Sequence, residues 1–84
     1  MTVKGFIAEL ESHREIELHI NEMKLFLQPD WEDEKQSVYA LYDCTTNESI
    51  LLFKGEIASV LSFKVDDKYS LANDWNSFSI DFVL

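Results

Sequence analysis

The chain has 84 residues, of which 46% are hydrophobic and 13% aromatic, and its sixteen acidic and seven basic side chains give a net charge of -9. This length allows one globular domain over residues 1–84, and the hydrophobic fraction exceeds that of disordered chains. The charge argues against direct binding to nucleic acid or to anionic membranes, because both need clustered Lys and Arg. The same charge would attract a basic protein partner, or would serve solubility alone.

The cysteine content and the lengths of the apolar runs indicate the cellular compartment in which the protein is expected. Cys44 is the one cysteine and cannot form an internal disulfide, which favours a reducing cytosolic setting. The first residues lack the apolar run and cleavage site of a signal peptide. The longest apolar run, Ile50 to Phe53, is far shorter than the roughly 20 residues of a membrane-spanning helix. We therefore expect a soluble cytoplasmic protein.

The N-terminal third predicts a helix followed by a hairpin. An apolar stripe at helical spacing predicts a helix over Thr2–Ser12 with Thr2 as its N-cap. Alternation then predicts a strand over Arg14–Ile20 and a second strand that begins at Met23. A turn at Asn21 and Glu22 would pair Ile20 with Met23, Leu18 with Leu25 and Ile16 with Leu27. Because a type I′ turn favours Gly after Asn, a longer or bulged loop is the alternative.

The segment Gln28–Gln36 is the most acidic run of the chain, and Pro29 interrupts its periodicity, which predicts a loop. We consider this loop the best candidate for a partner-binding surface. The candidate residues are Asp30, Trp31, Glu32, Asp33, Glu34 and, on the following strand, Tyr39, with Leu41 beside it. Alternatively, Trp31 folds back onto the core. A calcium loop is excluded, because Lys35 and Leu41 occupy the positions that need Gly and Glu.

A second hairpin is predicted from Ser37–Cys44 and Ser49–Lys54. With Asn47 and Glu48 as its central turn residues, Cys44 faces inward as a core thiol. One face of this hairpin would gather Val38, Ala40, Tyr42, Cys44, Leu51 and Phe53, and the other Leu41, Asp43, Ile50, Leu52 and Lys54. Since both faces carry apolar groups, either helices cover both sides of the sheet or one side is left for a partner, including a second copy in a homodimer.

The C-terminal third predicts two short helices and a last strand. Ile57, Val60 and Leu61 have helical spacing, Asp66–Lys68 reads as a tight turn, and a helix is expected over Leu71–Trp75 with Ser70 as its N-cap. The last strand would direct Phe78, Ile80, Phe82 and Leu84 to the core. The predicted fold class is therefore α+β, with a small antiparallel sheet of about five strands, an N-terminal helix and two short helices.

Three segments carry a resemblance. They are Arg14–Leu18 (REIEL), Leu51–Glu56 (LLFKGE) and Leu61–Leu71 (LSFKVDDKYSL), followed by Trp75 and the closing strand. In this order they resemble a family of short uncharacterised bacterial proteins with an R-E-I-E-hydrophobic strand and an F-K-hydrophobic-D-G-K-x-L turn. Asp67 stands here where the family has the turn glycine. The resemblance carries no assigned activity and implies no catalytic residue.

Catalytic and metal chemistry find little support in the sequence. His13 and His19 are six residues apart, which does not match the spacing of a helical metal pair, and no carboxylate pair has a specific reason to act as acid and base. We therefore expect no enzyme, cofactor or metal. The favoured hypothesis is a protein-interaction module for a basic partner, with an immunity protein or a nucleic-acid mimic as its sharper forms. The alternative is a small-molecule-binding domain or small enzyme with a pocket between helices and sheet.

Overall fold

A computed structural model describes residues 1–84 as an antiparallel five-stranded sheet with two helices and a 3-10 turn, which confirms the α+β class. The sheet order is β4-β3-β2-β1-β5, so β4 and β5 form its edges. The elements are α1 (Val3–Glu11), β1 (Ile16–Ile20), β2 (Met23–Pro29), β3 (Tyr39–Asp43), β4 (Ile50–Gly55), α2 (Ile57–Ser62), the 3-10 turn (Trp75–Ser77) and β5 (Phe78–Val83).

Helix α1 begins where the sequence predicts. The Oγ1 atom of Thr2 accepts a hydrogen bond from the Gly5 amide at 3.1 Å, which confirms the N-cap. Phe6 and Leu10 are fully buried, and these two side chains attach the helix to the sheet. His13 follows the helix with a φ of 62°, so the chain reverses there toward β1.

The first hairpin has the predicted register. Ile16 pairs with Leu27, Leu18 with Leu25 and Ile20 with Met23. Asn21 alone takes a positive φ of 52° in the turn, and Glu22 does not. Since Asn tolerates the left-handed region, the missing glycine after it has no consequence for this turn.

The register of the second hairpin differs from the prediction by a shift and a bulge. Tyr42 pairs with Leu51 and Leu41 with Phe53, so Leu52 is an extra residue on β4. Leu41 also pairs with Leu27 of β2, which places Leu41 on the core face and leaves Tyr42 on the opposite face. The prediction of an inward Cys44 is therefore wrong, because Cys44 continues the outward side of β3 and is only half-buried.

A second bulge changes which residues of β5 reach the core. Ile80 pairs with Leu18 and Phe82 with Glu17, so Asp81 is the extra residue. The alternation predicted for Phe82 and Leu84 therefore fails, since their side chains are 62% and 59% exposed. Val83 pairs with Ile16 and packs against the core in place of Phe82.

The helix predicted over Leu71–Trp75 is also absent. Ser70 Oγ accepts from the Asn73 amide at 3.1 Å, and Asp74 Oδ2 accepts from the Ser70 amide at 3.0 Å. This reciprocal pair resembles a helix N-cap, as the sequence suggests, but it closes a turn and leads only to the 3-10 turn at Trp75. The predicted tight turn before it is confirmed, because Asp66 and Asp67 both have positive φ and Val65 bridges to Tyr69.

The core lies between the helices and one face of the sheet, which we call the inner face. Thirteen buried residues fill this space. They are Phe6, Leu10, Ile16, Leu18, Ile20, Leu25, Leu27, Tyr39, Leu41, Val60, Val65, Leu71 and Phe78. No buried side-chain nitrogen or oxygen lacks a hydrogen-bond partner. Neither helix has the length and apolar character that crossing a bilayer requires.

Candidate protein-interaction surface

The connection between β2 and β3, residues 30–38, is a closed hydrogen-bonded loop that we call the acidic loop. The Asp30 amide donates to the Val38 carbonyl at 2.8 Å, which joins the two ends of the loop. Within it, the Asp33 amide donates to Asp30 O at 3.0 Å and the Gln36 amide to Asp33 O at 3.1 Å. The loop therefore has a defined conformation before any partner arrives.

Two of its four carboxylates maintain this conformation. Asp33 Oδ2 accepts from the backbone amide of Ser37 and from that of Val38, and the Ser37 hydrogen bond is the main reason that the pKa of Asp33 lies below its ordinary value. Asp30 Oδ2 lies 2.9 Å from Lys54 Nζ, and this contact lowers the pKa of Asp30 and raises that of Lys54. These two candidate residues therefore hold the loop in its conformation.

Trp31 is the exposed aromatic group of the loop. Its side chain is 62% exposed, so the interpretation that it folds back onto the core is wrong. Its ring centroid lies 6.4 Å from that of His13, which anchors one edge of the indole near the end of α1. The remaining surface of Trp31 faces outward and can contact a partner.

Glu32 and Glu34 are exposed, and neither forms a salt bridge. Lys35 is the one basic residue among them, so the exposed part of the loop remains acidic. Of the six candidate residues, Trp31, Glu32 and Glu34 therefore present free side chains to solvent.

Tyr39 does not lie on the exposed surface. It is 5% exposed and belongs to the core, and burial, with the charge of Glu11, raises the pKa of its hydroxyl. It lines an open depression of about 330 Å³ together with Glu11 and Glu56. Leu41, which the sequence places with it, is 1% exposed.

Glu11 and Glu56 are the residues that sequence reasoning missed. Glu11 ends α1 and Glu56 precedes α2, and the depression between them also borders Gln36 of the acidic loop. The end of α1, the start of α2 and the acidic loop are far apart in the sequence, and the packing of both helices on the sheet brings them together. The pattern of charges along the chain therefore does not indicate that they share one surface. We name the set Trp31, Glu32, Glu34, Glu11 and Glu56 the acidic surface.

The face of the sheet opposite the core, which we call the outer face, carries a second notable feature. Strand pairing aligns one residue from each strand into a row across this face. The outer row consists of Phe82, Glu17, Phe26, Tyr42 and Leu51. Phe82 and Leu51 are 62% and 50% exposed, and the other three are half-buried. Four of the five are apolar or aromatic.

An open groove of about 610 Å³ lies beside this row, between Phe26 and Phe82. His19 of β1 lines this groove, and its Nδ1 atom is 2.9 Å from both carboxylate oxygens of Asp81. Cys44 also lines the groove, with its Sγ atom 3.5 Å from Ser49 Oγ. No group of three His, Cys, Asp or Glu side chains is arranged to hold a metal ion.

Comparisons with known proteins identify no relative of this chain. No family model, curated protein or solved structure matches this chain. The resemblance to short bacterial proteins therefore stays a prediction.

The contacts of Asp33 predict how acid affects the molecule. Since its pKa is lowered in the folded state, its contribution to stability is complete above the ordinary pKa of about 3.9 and is lost as the pH falls through the lower folded value. We expect Asp33→Asn to have a lower free energy of unfolding than the wild type near neutral pH. Between neutral pH and pH 3, the free energy of unfolding should fall less for this variant than for the wild type. Urea unfolding at several pH values measures this. The control Glu34→Gln should keep the wild-type pH dependence, and an Asp33→Asn variant that also keeps it would contradict the assignment.

Proposed function

We propose that this protein is a non-catalytic interaction module that binds a basic segment of a protein partner through the acidic surface. The observation that carries the proposal is the exposed Trp31 on a hydrogen-bonded loop, beside carboxylates that have no cation of their own. A large aromatic side chain exposed on a structured loop is a common anchor of protein interfaces.

The conformation of the loop supports this function energetically. Binding costs free energy when a loop must be ordered, and here the contacts of Asp30 and Asp33 order it in the free protein. A partner would therefore gain contact with Trp31 at little entropic cost to the loop.

The charges support the choice of a basic partner. Glu11 and Glu56 line an open depression of about 330 Å³ that a Lys or Arg side chain would enter, and Glu32 and Glu34 add negative charge from the loop. With a net charge of -9, the whole molecule would attract a basic partner and accelerate its encounter. A basic toxin domain is one class of partner with this chemistry, which would make the module an immunity protein.

The alternative of a small enzyme has less support. Core residues fill the space between the helices and the inner face, where a substrate pocket was the expectation. The larger depressions lie at the surface and are open to solvent. This packing favours a binding function that uses the surface.

Binding to a synthetic Arg- and Lys-rich peptide tests the proposal. Isothermal titration calorimetry at low salt should give a measurable affinity that Trp31→Ala reduces about tenfold or more. The double variant Glu11→Gln/Glu56→Gln should bind more weakly and show a shallower dependence on salt. The matched control Glu48→Gln/Asp67→Asn removes the same charge from two exposed turns and should retain most of the affinity. If both double variants lose affinity equally, only net charge attracts the peptide and the proposed site is wrong.

A further inference from the structure

We propose that the outer face is a self-association surface on which a second copy of this chain packs in a symmetric dimer. This inference concerns a different surface from the acidic surface and does not depend on the proposed function. It rests on the outer row, on the charges of this face and on the position of Phe82.

The outer row is mostly apolar, and no helix covers it, since both helices pack on the inner face. Phe26, Tyr42 and Leu51 lie side by side on β2, β3 and β4, and Phe82 lies on β5, beyond Glu17 of β1 and the groove. Exposed apolar side chains grouped on one face of a monomer are typical of an interaction surface. The bulge at Asp81 creates part of it, because the bulge turns Phe82 away from the core.

The charges of the outer face are of both signs, which suits a second copy of the chain. The carboxylates of Glu17, Glu22, Asp30 and Asp81 share this face with the ammonium groups of Lys24 and Lys54. Two copies that each carry a net charge of -9 repel each other, and contacts between the carboxylates of one copy and these ammonium groups of the other offset part of that repulsion.

Two charges of the outer face complement each other across a two-fold axis. Glu17 and Lys24 form no salt bridge within the chain, and they lie on adjacent strands at diagonal positions of the first hairpin. An axis in the interface that passes between them places Glu17 of each copy opposite Lys24 of the other, as a symmetric interface requires.

The same axis also gives the aromatic side chains of each copy a place to contact on the other copy. With ordinary strand spacing it brings the two Phe26 rings together near the axis. It directs Phe82 of each copy toward the turn end of the other copy's groove, which Asn21 and Glu22 line. The exposed ring and the groove are therefore complementary parts of one surface.

Sedimentation velocity of the purified chain over a range of concentrations tests this inference, with circular dichroism to confirm that each variant folds. We expect a reversible dimer for the wild type and a dissociation constant at least about tenfold higher for Phe82→Ser. The control Trp31→Ser removes an equally exposed aromatic group from the acidic surface and should dimerise like the wild type. A wild-type chain that stays monomeric at millimolar concentration overturns the proposal.

Exchanging the charges of Glu17 and Lys24 distinguishes this specific interface from nonspecific association. Glu17→Lys and Lys24→Glu each place like charges across the axis and should weaken the dimer about tenfold. The double variant Glu17→Lys/Lys24→Glu restores opposite charges in every pair and should return close to the wild-type dissociation constant. If the double variant is as weak as the single variants, Glu17 and Lys24 do not face each other and the proposed symmetric arrangement is wrong.

Discussion

Replacing Phe6 with alanine is expected to lower the free energy of unfolding by about 3–5 kcal/mol, a large share of the 5–15 kcal/mol that is typical of a whole domain. Phe6 is fully buried and packs edge-on against Trp75, with ring centroids 5.2 Å apart. Only Phe6 and Leu10 of α1 are fully buried, so the loss would also loosen the helix from the sheet. Urea unfolding followed by far-ultraviolet circular dichroism measures this change.

Phe82→Ala is the matched control for that experiment. It removes the same side chain from a position that is 62% exposed, and we expect it to cost less than about 1 kcal/mol when measured at low protein concentration. Equal losses for the two variants would contradict the assignment of Phe6 to the core and Phe82 to the outer face.

Deleting Asp81 is expected to be tolerated, whereas deleting Ser79 is expected to unfold most of the protein. Without Asp81, β5 pairs with β1 as a regular strand, and Ile80 and Val83 keep their places opposite Leu18 and Ile16. The loss is then confined to the contact between His19 and Asp81, which is exposed and contributes little. Without Ser79, Phe78 and Ile80 become neighbours and cannot both face the core, so one large apolar side chain must leave it.

Thermal unfolding of the two deletion variants checks this contrast. We expect the Asp81 deletion to melt within a few degrees of the wild type and the Ser79 deletion to show no cooperative transition at room temperature or above. A Ser79 deletion that is as stable as the Asp81 deletion would mean that the bulge lies elsewhere in β5.

Local periodicity is enough to predict the first hairpin. A two-residue turn between two alternating strands permits one register that places all six apolar residues on one face, and Ile16, Leu18 and Ile20 have the predicted partners. Helix α1 is predictable for a similar reason, since its apolar stripe and its Thr2 cap both lie within one segment.

The bulges at Leu52 and Asp81 are not predictable from alternation. Each inserts one residue without a local signal such as glycine, and each reverses the facing of the residues beyond it. The exposed positions of Phe82 and Leu51 follow from the bulges. This is why the sequence suggests a second apolar face on β3 and β4 but does not show that the face extends to Phe82.

The acidic loop was predictable as a loop and only partly as a site. Pro29 and the run of acids indicate an exposed connection, and Trp31 is exposed as the contact hypothesis requires. Whether a carboxylate is free or holds the loop depends on which backbone amides and cations lie near it, and the sequence does not encode that directly. Asp30 and Asp33 therefore belong to the structure of the loop, while Glu11 and Glu56 join its surface through tertiary packing.

The most direct test of the proposed function is a proton–nitrogen correlation spectrum of the labelled protein titrated with the Arg- and Lys-rich peptide. Trp31 and Trp75 give separate indole signals, and Trp75 packs against Phe6 away from the acidic loop. We predict that the Trp31 indole and the amides of residues 30–38, Glu11 and Glu56 shift at low salt and return toward their free positions as salt is added. Shifts that are confined to the outer face, or no shift at Trp31 at saturating peptide, would contradict the proposed function.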